Sequence, residues 1–176
     1  MTDLERQLKS EAKRLLDEKL VDVFIGFRKE TTPMHPQPAF YTSSDQLEDF
    51  VYNNLCQNNL ANFLTRYSDE TKIGMIVRGC ENRSVNHLVM ERQHPRENIF
   101  LLGVPCTGIY DWRKITQRCG EEIKDVKLSP EKVVVKTFKD QFEFEPKEMK
   151  HVSCARCSQP NPISADLVIG DPVEPA

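Results

Sequence analysis

One stretch decides the fold, Lys72-Ile73-Gly74-Met75-Ile76-Val77-Arg78-Gly79-Cys80. Residues 72–77 are a short apolar run rich in β-branched side chains, which is typical of a buried strand. Residues 82–93 then show the spacing of an amphipathic helix, and residues 98–104 form a second apolar run. The order strand, helix, strand predicts two parallel strands that are joined by a right-handed crossover.

A cysteine follows each of these two predicted strands. Cys80 stands three residues past Val77, and Cys106 stands two residues past Val104. The carboxyl ends of parallel strands meet at one edge of a sheet, where the sites of open α/β folds gather. The sequence therefore predicts that the two cysteines share a site at that edge.

A further pair of cysteines, Cys154 and Cys157, lies near the C-terminus with two residues between its members. This spacing lets two sulfurs converge on one metal or cluster, and it also occurs in zinc sites and thioredoxin-like redox pairs. A redox pair opens a helix directly after a strand, whereas two prolines follow this pair within five residues. Cys₄ zinc sites usually contain two such pairs, and this chain offers one pair and two isolated cysteines. Our hypothesis is that these four cysteines hold an iron–sulfur cluster, with a zinc-stabilised structural or assembly protein as the alternative.

Basic residues surround the proposed ligands. Arg78, Arg83, Arg156 and His151 all lie within three residues of one of the four cysteines. A 4Fe-4S centre with four thiolates is anionic, so that nearby cations and backbone N–H groups stabilise it. We therefore predict that the three arginines contact the cofactor, against the alternative that each is simply solvated. For Glu81, stabilising the first turn of the helix is favoured over tuning the site.

The other cysteines and two of the histidines receive structural interpretations. Cys56 lies in a polar turn and is interpreted as a plain buried thiol in preference to an approach to the site. Cys119 is assigned no role. A surface or interfacial position is expected for His87 and His94.

The bulk properties exclude several classes of protein. The chain has 176 residues, enough for one domain with its own core, and 29% of them are charged. A net charge of −3 and a pI near 5.9 do not suggest a nucleic-acid-binding protein, which needs a concentrated basic face. No apolar run approaches the roughly 18 residues of a membrane span, and the N-terminus lacks the apolar core of a secretory signal. We therefore expect a cytoplasmic protein. In that reducing compartment six cysteines indicate metal or redox chemistry rather than structural disulfides.

The remaining segments complete the predicted architecture. Residues 1–20 form an N-terminal amphipathic helix that Asp3 could cap. The other predicted elements are strands at 21–27 and 39–42, a helix that starts at Ser43 or Ser44, a helical stretch around Leu60 to Leu64, a short helix and loop within 109–128, and a hairpin of 132–138 with 141–144. The predicted fold is a single α/β domain over residues 1–170, with a parallel or mixed sheet flanked by helices, a small β-hairpin and a cysteine-rich C-terminal loop. Residues 171–176 are expected to form an extended tail.

Four segments resemble the beta subunits of deazaflavin-coenzyme-reducing hydrogenases and formate dehydrogenases. Arg78-Gly79-Cys80-Glu81-Asn82-Arg83-Ser84 resembles that family's Arg-Pro-Cys-Glu-x-Arg-Ala segment, and residues 99–108 resemble its Ile-Ile-Gly-Val-x-Cys-x-Gly strand and turn. Residues 154–170 are similar to its Cys-x-x-Cys-x-x-Pro-x-Pro and Ala-Asp-Leu-x-Ile-Gly elements, and residues 53–64 are similar to a further family segment. Together the segments cover most of residues 20–170.

The resemblance implies an electron-transfer subunit of a multisubunit hydrogenase or formate dehydrogenase complex. In that reading Cys80, Cys106, Cys154 and Cys157 are the ligands of a 4Fe-4S cluster. The cluster relays electrons toward a flavin or ferredoxin-type acceptor. The implied partners are a dehydrogenase or hydrogenase subunit, a flavoprotein or a ferredoxin-like protein. No residue is identified as a catalytic acid, base or nucleophile, so we expect no catalysis by this chain alone.

Two departures from the family pattern limit what is carried over. Gly79 stands where the family has proline, which is a mild change. Longer relatives continue into a ferredoxin-like segment with further cysteines, so a second cluster is not expected in this chain. The sequence has no Gly-rich phosphate-binding loop, so a flavin such as FAD is expected only at an interface shared with another chain. A flavin-dependent oxidoreductase subunit with its own reductase activity is the third alternative.

Overall fold

The computed structural model describes residues 2–120 and 122–176, and the elements below are those of the described residues. The helices are α1 (Asp3–Asp17), α2 (Gly79–Met90), α3 (Trp112–Cys119) and α4 (Pro146–Met149). The strands are β1 (Val23–Arg28), β2 (Gln37–Tyr41), β3 (Ile73–Val77), β4 (Ile99–Gly103), β5 (Ile123–Leu128), β6 (Val133–Thr137), β7 (Gln141–Phe144) and β8 (Leu167–Val168).

The strands form two sheets. The first has the order β2-β1-β3-β4-β8, in which β2 is antiparallel to β1 and the other neighbours are parallel. The second is the small antiparallel sheet β5-β6-β7. The predicted fold class, a mixed sheet flanked by helices beside a small hairpin, is therefore confirmed, with a third strand added to the hairpin.

The predicted unit of strand, helix and strand is present as β3, α2 and β4. The two strands pair in parallel from Ile73 opposite Ile99 to Val77 opposite Gly103. The helix begins at Gly79, three residues earlier than predicted, because the Glu81 carboxylate accepts the backbone N–H of Arg78 at 2.9 Å and ends the strand there. Cys80 consequently lies in the first turn of α2.

The start of α1 differs from the prediction in its capping residue. The hydroxyl of Thr2, rather than the side chain of Asp3, accepts the Glu5 N–H at 3.1 Å. The Glu5 carboxylate accepts the Thr2 N–H at 3.2 Å in return, which is a capping box.

The two helical segments predicted after β2 are short 3₁₀ helices, Ser44–Asp49 and Leu60–Arg66. Ser43 stands at the first N-cap, but its side chain makes no capping hydrogen bond. Asn59 caps the second through its side-chain oxygen, which accepts the Ala61 N–H at 3.0 Å. Segments of six or seven residues give an α-helix few internal hydrogen bonds, so the tighter form competes with it.

Two strands were not predicted. β5 carries a register irregularity between Ile123 and Asp125, which obscures the alternation of apolar and polar residues. β8 has two residues and follows a proline-rich segment, and it pairs with β4 from Leu102 opposite Leu167 to Gly103 opposite Val168. Short strands of this kind are held by their neighbours and carry no periodic signal.

Each sheet packs its own cluster of buried apolar side chains. The larger cluster includes Phe24, Ile76 and Val85 and surrounds the five-stranded sheet. The smaller one includes Ile115, Val135 and Met149 beside the second sheet. The division into one domain at 1–170 and an extended tail remains a prediction.

The fold tests the surface positions that were predicted for His87 and His94. The position predicted for His94 is wrong, since the side chain is buried and its Nε2 lies 3.1 Å from the carbonyl oxygen of Thr71. His87 is exposed as predicted, with its Nε2 3.1 Å from Glu91. Among the described helices, none combines the length and the apolar character needed to cross a bilayer.

Candidate functional site

All four predicted cysteine ligands line one cavity of about 70 Å³ at the carboxyl edge of the larger sheet. Cys80 comes from the first turn of α2, and Cys106 comes from the segment after β4. Cys154 is the first residue of the 3₁₀ turn Cys154–Arg156, and Cys157 directly follows that turn. In the part of the chain that the structure describes, no three His, Cys, Asp or Glu side chains form a group that could hold a single metal ion. The thiols thus share a cavity without converging on one ion-sized point.

The C-terminal loop is held against the ends of β4 and α2 by close backbone contact. The Cys106 N–H donates to the Pro160 carbonyl oxygen at 3.1 Å. A Cβ atom at Gly79 would lie 2.2 Å from the Gln159 carbonyl oxygen and 3.0 Å from that of Asn161. Arg83 also donates from Nη1 to the Gln159 side-chain oxygen. The loop can therefore bring its two cysteines to the cavity only because residue 79 has no side chain.

Desolvation of the sulfur is the largest influence on the pKa of the two cysteines that follow strands, although Cys80 as a whole residue is exposed. Desolvation raises the pKa of the Cys106 thiol to about 11, against the opposing effects of the Gly108 N–H and the Arg78 charge. Desolvation also raises the pKa of Cys80, and the neighbouring Glu81 charge acts in the same direction. Thiols of this kind keep their protons until a metal replaces them, so metal loading releases protons.

A buried ion pair stands directly behind the cavity. Arg78 and Glu81 have side chains that are 3% and 1% exposed, joined by Nε–Oε2 and Nη2–Oε1 contacts of 2.8 Å each. The guanidinium also donates to the carbonyl oxygens of Cys56 at 2.6 Å and Asn58 at 2.9 Å. Glu81 in turn accepts the Leu60 N–H at 3.0 Å. The pair therefore binds the 56–60 segment to the end of β3, and its two charges balance.

The three arginines predicted to contact the cofactor have different positions. Arg78 lines the cavity, but its guanidinium is already occupied by Glu81 and the two carbonyl oxygens. Arg83 and Arg156 are exposed, and neither is among the described residues that line the cavity. Their contact with a cofactor remains a prediction.

Sequence reasoning missed two charged residues at this cavity, Lys150 and Glu174. Lys150 is four residues before Cys154, and no motif marks it. It reaches the site because residues 109–111 pair with residues 149–151, through the Tyr110–Lys150 bridge and a 2.8 Å hydrogen bond from the His151 N–H to the Ile109 carbonyl. His151 itself is exposed.

The C-terminal segment lies across the same cavity. Val173, Glu174 and Ala176 contribute to its lining. The Asn161 side chain exchanges two hydrogen bonds of 2.9 Å with the backbone of Val173. The Ala176 N–H donates to the Cys157 carbonyl oxygen at 2.9 Å. The segment is thus held by the loop that carries the cysteine pair.

The remaining two cysteines lie outside the cavity lining. Cys56 is fully buried, its sulfur accepts the Asn53 N–H at 3.4 Å, and burial raises the pKa of its thiol to about 12. Cys119 is buried at the end of α3, where desolvation also raises its pKa. These surroundings are those of plain buried thiols.

A second and larger cavity, of about 300 Å³, has Asn58 of the 56–60 segment in its lining. Its lining consists of Met34, His35, Pro36, Gln37, Leu55, Gln57, Asn58 and Trp112. The rings of His35 and Trp112 meet edge to face with centroids 4.5 Å apart. Asn58 lines this cavity while its carbonyl oxygen accepts from Arg78, which lines the first. A direct hydrogen bond therefore joins a residue in the lining of one cavity to a residue in the lining of the other.

Comparison with known proteins finds a matching family, a curated relative and a solved structure of similar fold. Residues 70–176 match the family described as the C terminus of the coenzyme F420 hydrogenase/dehydrogenase beta subunit. The chain is 26% identical to the F420-dependent formate dehydrogenase 1 subunit beta of Methanococcus maripaludis, over 90% of this chain and 45% of that protein. The chain thus spans less than half the length of this curated relative.

A solved structure has a similar fold. A chain of the F420-reducing [NiFe] hydrogenase complex from Methanosarcina barkeri superposes with a TM-score of 0.70, over 90% of this chain and 61% of that chain. The sequence identity is 16%, so this likeness concerns the fold alone.

Proposed function

The chain belongs to the family of coenzyme F420 hydrogenase and dehydrogenase beta subunits, whose C-terminal region it matches over residues 70–176, and we propose that it is an iron–sulfur electron-relay subunit. The observation that carries this proposal is the gathering of Cys80, Cys106, Cys154 and Cys157 at a single cavity from three separate segments. Four thiolates from one chain are the usual ligand set of a 4Fe-4S cluster. Such a cluster, when bound, takes up and returns one electron.

The surrounding residues supply what a buried anionic centre needs. The Gly108 N–H points to the Cys106 sulfur and the Glu81 N–H to the Cys80 sulfur, and both lower the cost of holding a thiolate there. The Arg78–Glu81 pair fixes the turn that carries Cys80. Gly79 admits the loop that carries Cys154 and Cys157. These contacts thus hold the three segments that carry the four sulfurs around one cavity.

The named relatives support a proposal about the setting in which this relay works. They are a subunit of a formate dehydrogenase and a chain of a hydrogenase complex. We propose that this chain serves in a cytoplasmic redox complex of that kind. It would receive electrons from a dehydrogenase or hydrogenase subunit and pass them to a flavoprotein or a ferredoxin-like protein, or carry them in the reverse direction.

Replacing Cys106 with serine tests the ligand set. We expect the anaerobically purified wild-type protein to be brown, with iron and sulfide in equal amounts and an electron paramagnetic resonance signal on reduction. The Cys106→Ser variant should lose at least half of that iron, because a serine oxygen is a poor ligand for the cluster. The measurement is iron and sulfide content together with visible absorption.

Cys119→Ser is the matched control, since Cys119 is a buried thiol outside the cavity. It should keep the wild-type iron content. A colourless wild-type protein with one zinc per chain would replace the relay by the zinc-stabilised alternative. Equal iron in wild type and Cys106→Ser would remove Cys106 from the ligand set.

The larger cavity supports a second proposal, a docking site for the ring of an electron acceptor. Its volume of about 300 Å³ and its edge-to-face pair of His35 and Trp112 suit a planar heteroaromatic group. The formate dehydrogenase relative is named as F420-dependent. We therefore propose that a flavin or a deazaflavin docks there, in contact with groups from another chain where one is present.

Trp112 is the single tryptophan of the chain and reports on this cavity directly. Titration with FAD, and separately with the deazaflavin coenzyme, should quench its fluorescence to a saturating value. A Gln57→Leu variant, which replaces a polar side chain in the cavity lining by an apolar one, should weaken binding about tenfold, whereas Gln93→Leu, outside that lining, should not. Quenching that rises linearly without saturation would count against this docking site.

A further inference from the structure

We propose that Lys150 sets the reduction potential of the cluster, through an ammonium group that forms no ion pair with the described residues. This inference rests on the proposed function, because it concerns the site that the four cysteines form. In this inference Lys150 supplies the positive charge that acts on the cluster. The three arginines that lie nearest to the cysteines in sequence do not have that role.

The backbone of Lys150 is held in place at the cavity. Lys150 forms an isolated bridge with Tyr110, and the neighbouring residues add hydrogen bonds on either side. The Asp111 N–H donates to the Met149 carbonyl at 2.7 Å, and the Lys150 carbonyl accepts from Lys114 Nζ at 2.8 Å. These contacts fix the point from which the side chain starts.

The stem of the side chain is placed just as closely. A Cβ atom at Gly108 would lie 3.0 Å from both Cδ and Cε of Lys150, so the stem lies on the bare backbone of that glycine. Gly108 has a φ of +110°, a conformation that residues with a side chain rarely adopt. Gly108 follows Cys106 by two residues and also lines the cavity. The turn after β4 therefore carries one cysteine and supports the lysine at once.

Of the two described cations in the cavity lining, Lys150 is the one whose charge is not balanced by an ion pair. Among the described residues that line the cavity, three have charged side chains, namely Arg78, Lys150 and Glu174. Arg78 is balanced by Glu81 within a buried bidentate pair. Glu174 lies on the exposed C-terminal segment. Within the described chain the Lys150 ammonium makes no hydrogen bond or ion pair, and its side chain is half-buried.

A cation in this position favours the reduced state. Reduction adds one negative charge to a centre that is already anionic, and an uncompensated positive charge stabilises that added electron. Removing the charge should therefore make the potential more negative. The effect should shrink at high ionic strength, because a half-buried ammonium is partly screened by salt.

The test is a redox titration followed by electron paramagnetic resonance on the anaerobic, intact protein. At a fixed solution potential, Lys150→Gln should lower the ratio of reduced to oxidised cluster about tenfold, which corresponds to about 59 mV for one electron. Lys150→Arg should restore most of the wild-type ratio, because it restores the charge. Arg156→Gln, which removes an exposed cation next to the cysteine pair, should change the ratio less than twofold.

The outcomes separate this inference from the proposed function. If the wild type and all variants hold iron and sulfide but Lys150→Gln keeps the wild-type potential, the role of Lys150 is overturned and the relay stands. An Arg156→Gln shift as large as that of Lys150→Gln would also overturn it. Absence of a cluster from the wild type would overturn the relay and this inference together. Should Lys150→Gln fold poorly, Lys150→Met provides the same loss of charge with an apolar stem.

Discussion

Replacing Glu81 with methionine is expected to lower the free energy of unfolding by about 3–5 kcal/mol. The change leaves the Arg78 guanidinium buried without its carboxylate, and it removes the acceptor of the Arg78 and Leu60 backbone N–H groups. An unpaired buried charge costs far more than the loss of a surface contact. Chemical denaturation followed by circular dichroism measures the effect.

A surface ion pair provides the matched control. Arg118 and Glu148 are joined at 2.6 Å, but their side chains are 51% and 49% exposed. Glu148→Gln should therefore cost at most about 1 kcal/mol. Exchanging both Arg78 and Glu81 for methionine should recover part of the stability lost in the single variant, because no charge is then left buried. A Glu81→Met variant as stable as Glu148→Gln would contradict the role given to the buried pair.

Replacing Gly79 with alanine is expected to cost at least half of the bound iron and about 1–3 kcal/mol of stability. Helix propensity alone predicts the opposite sign, since alanine is favoured over glycine by about 1 kcal/mol inside a helix. The new Cβ would lie 2.2 Å from the Gln159 carbonyl oxygen, a backbone atom that cannot turn aside as a flexible side chain can. The 159–161 loop must therefore retreat and take Cys157 with it. Iron content and denaturation together measure this.

Gly120→Ala separates loss of stability from loss of the site. Gly120 ends α3 with a φ of +66°, and a Cβ there would meet no atom of the described residues within 4 Å, apart from its neighbours in sequence. Alanine should cost about 1 kcal/mol of backbone strain at this position. Its iron content should equal that of the wild type. If Gly79→Ala also kept its iron, the close approach of the loop would have no part in forming the site.

Sequence patterns were sufficient to predict the unit of β3, α2 and β4 at the centre of the fold. The apolar runs that became β3 and β4, and the periodic segment between them, predicted a parallel pair with its crossover helix. From that pairing the meeting of Cys80 and Cys106 followed, because parallel strands end at one edge. β5 and β8 were missed, because an irregular register hides one and two residues are too few to show the other.

By itself the sequence determined which residues are chemically capable of forming the site, namely four cysteines of suitable spacing that follow strands or share a loop. It also determined the local elements, since apolar periodicity acts over a few neighbouring residues. Only the tertiary structure decided how the charges near these cysteines are arranged. Contacts between residues that are distant along the chain hold the Arg78–Glu81 pair against the 56–60 segment and bring Lys150 onto Gly108. The close approach of the 159–161 loop requires a glycine at position 79. Electrostatic interaction and steric exclusion depend on distance in space, which sequence separation does not determine.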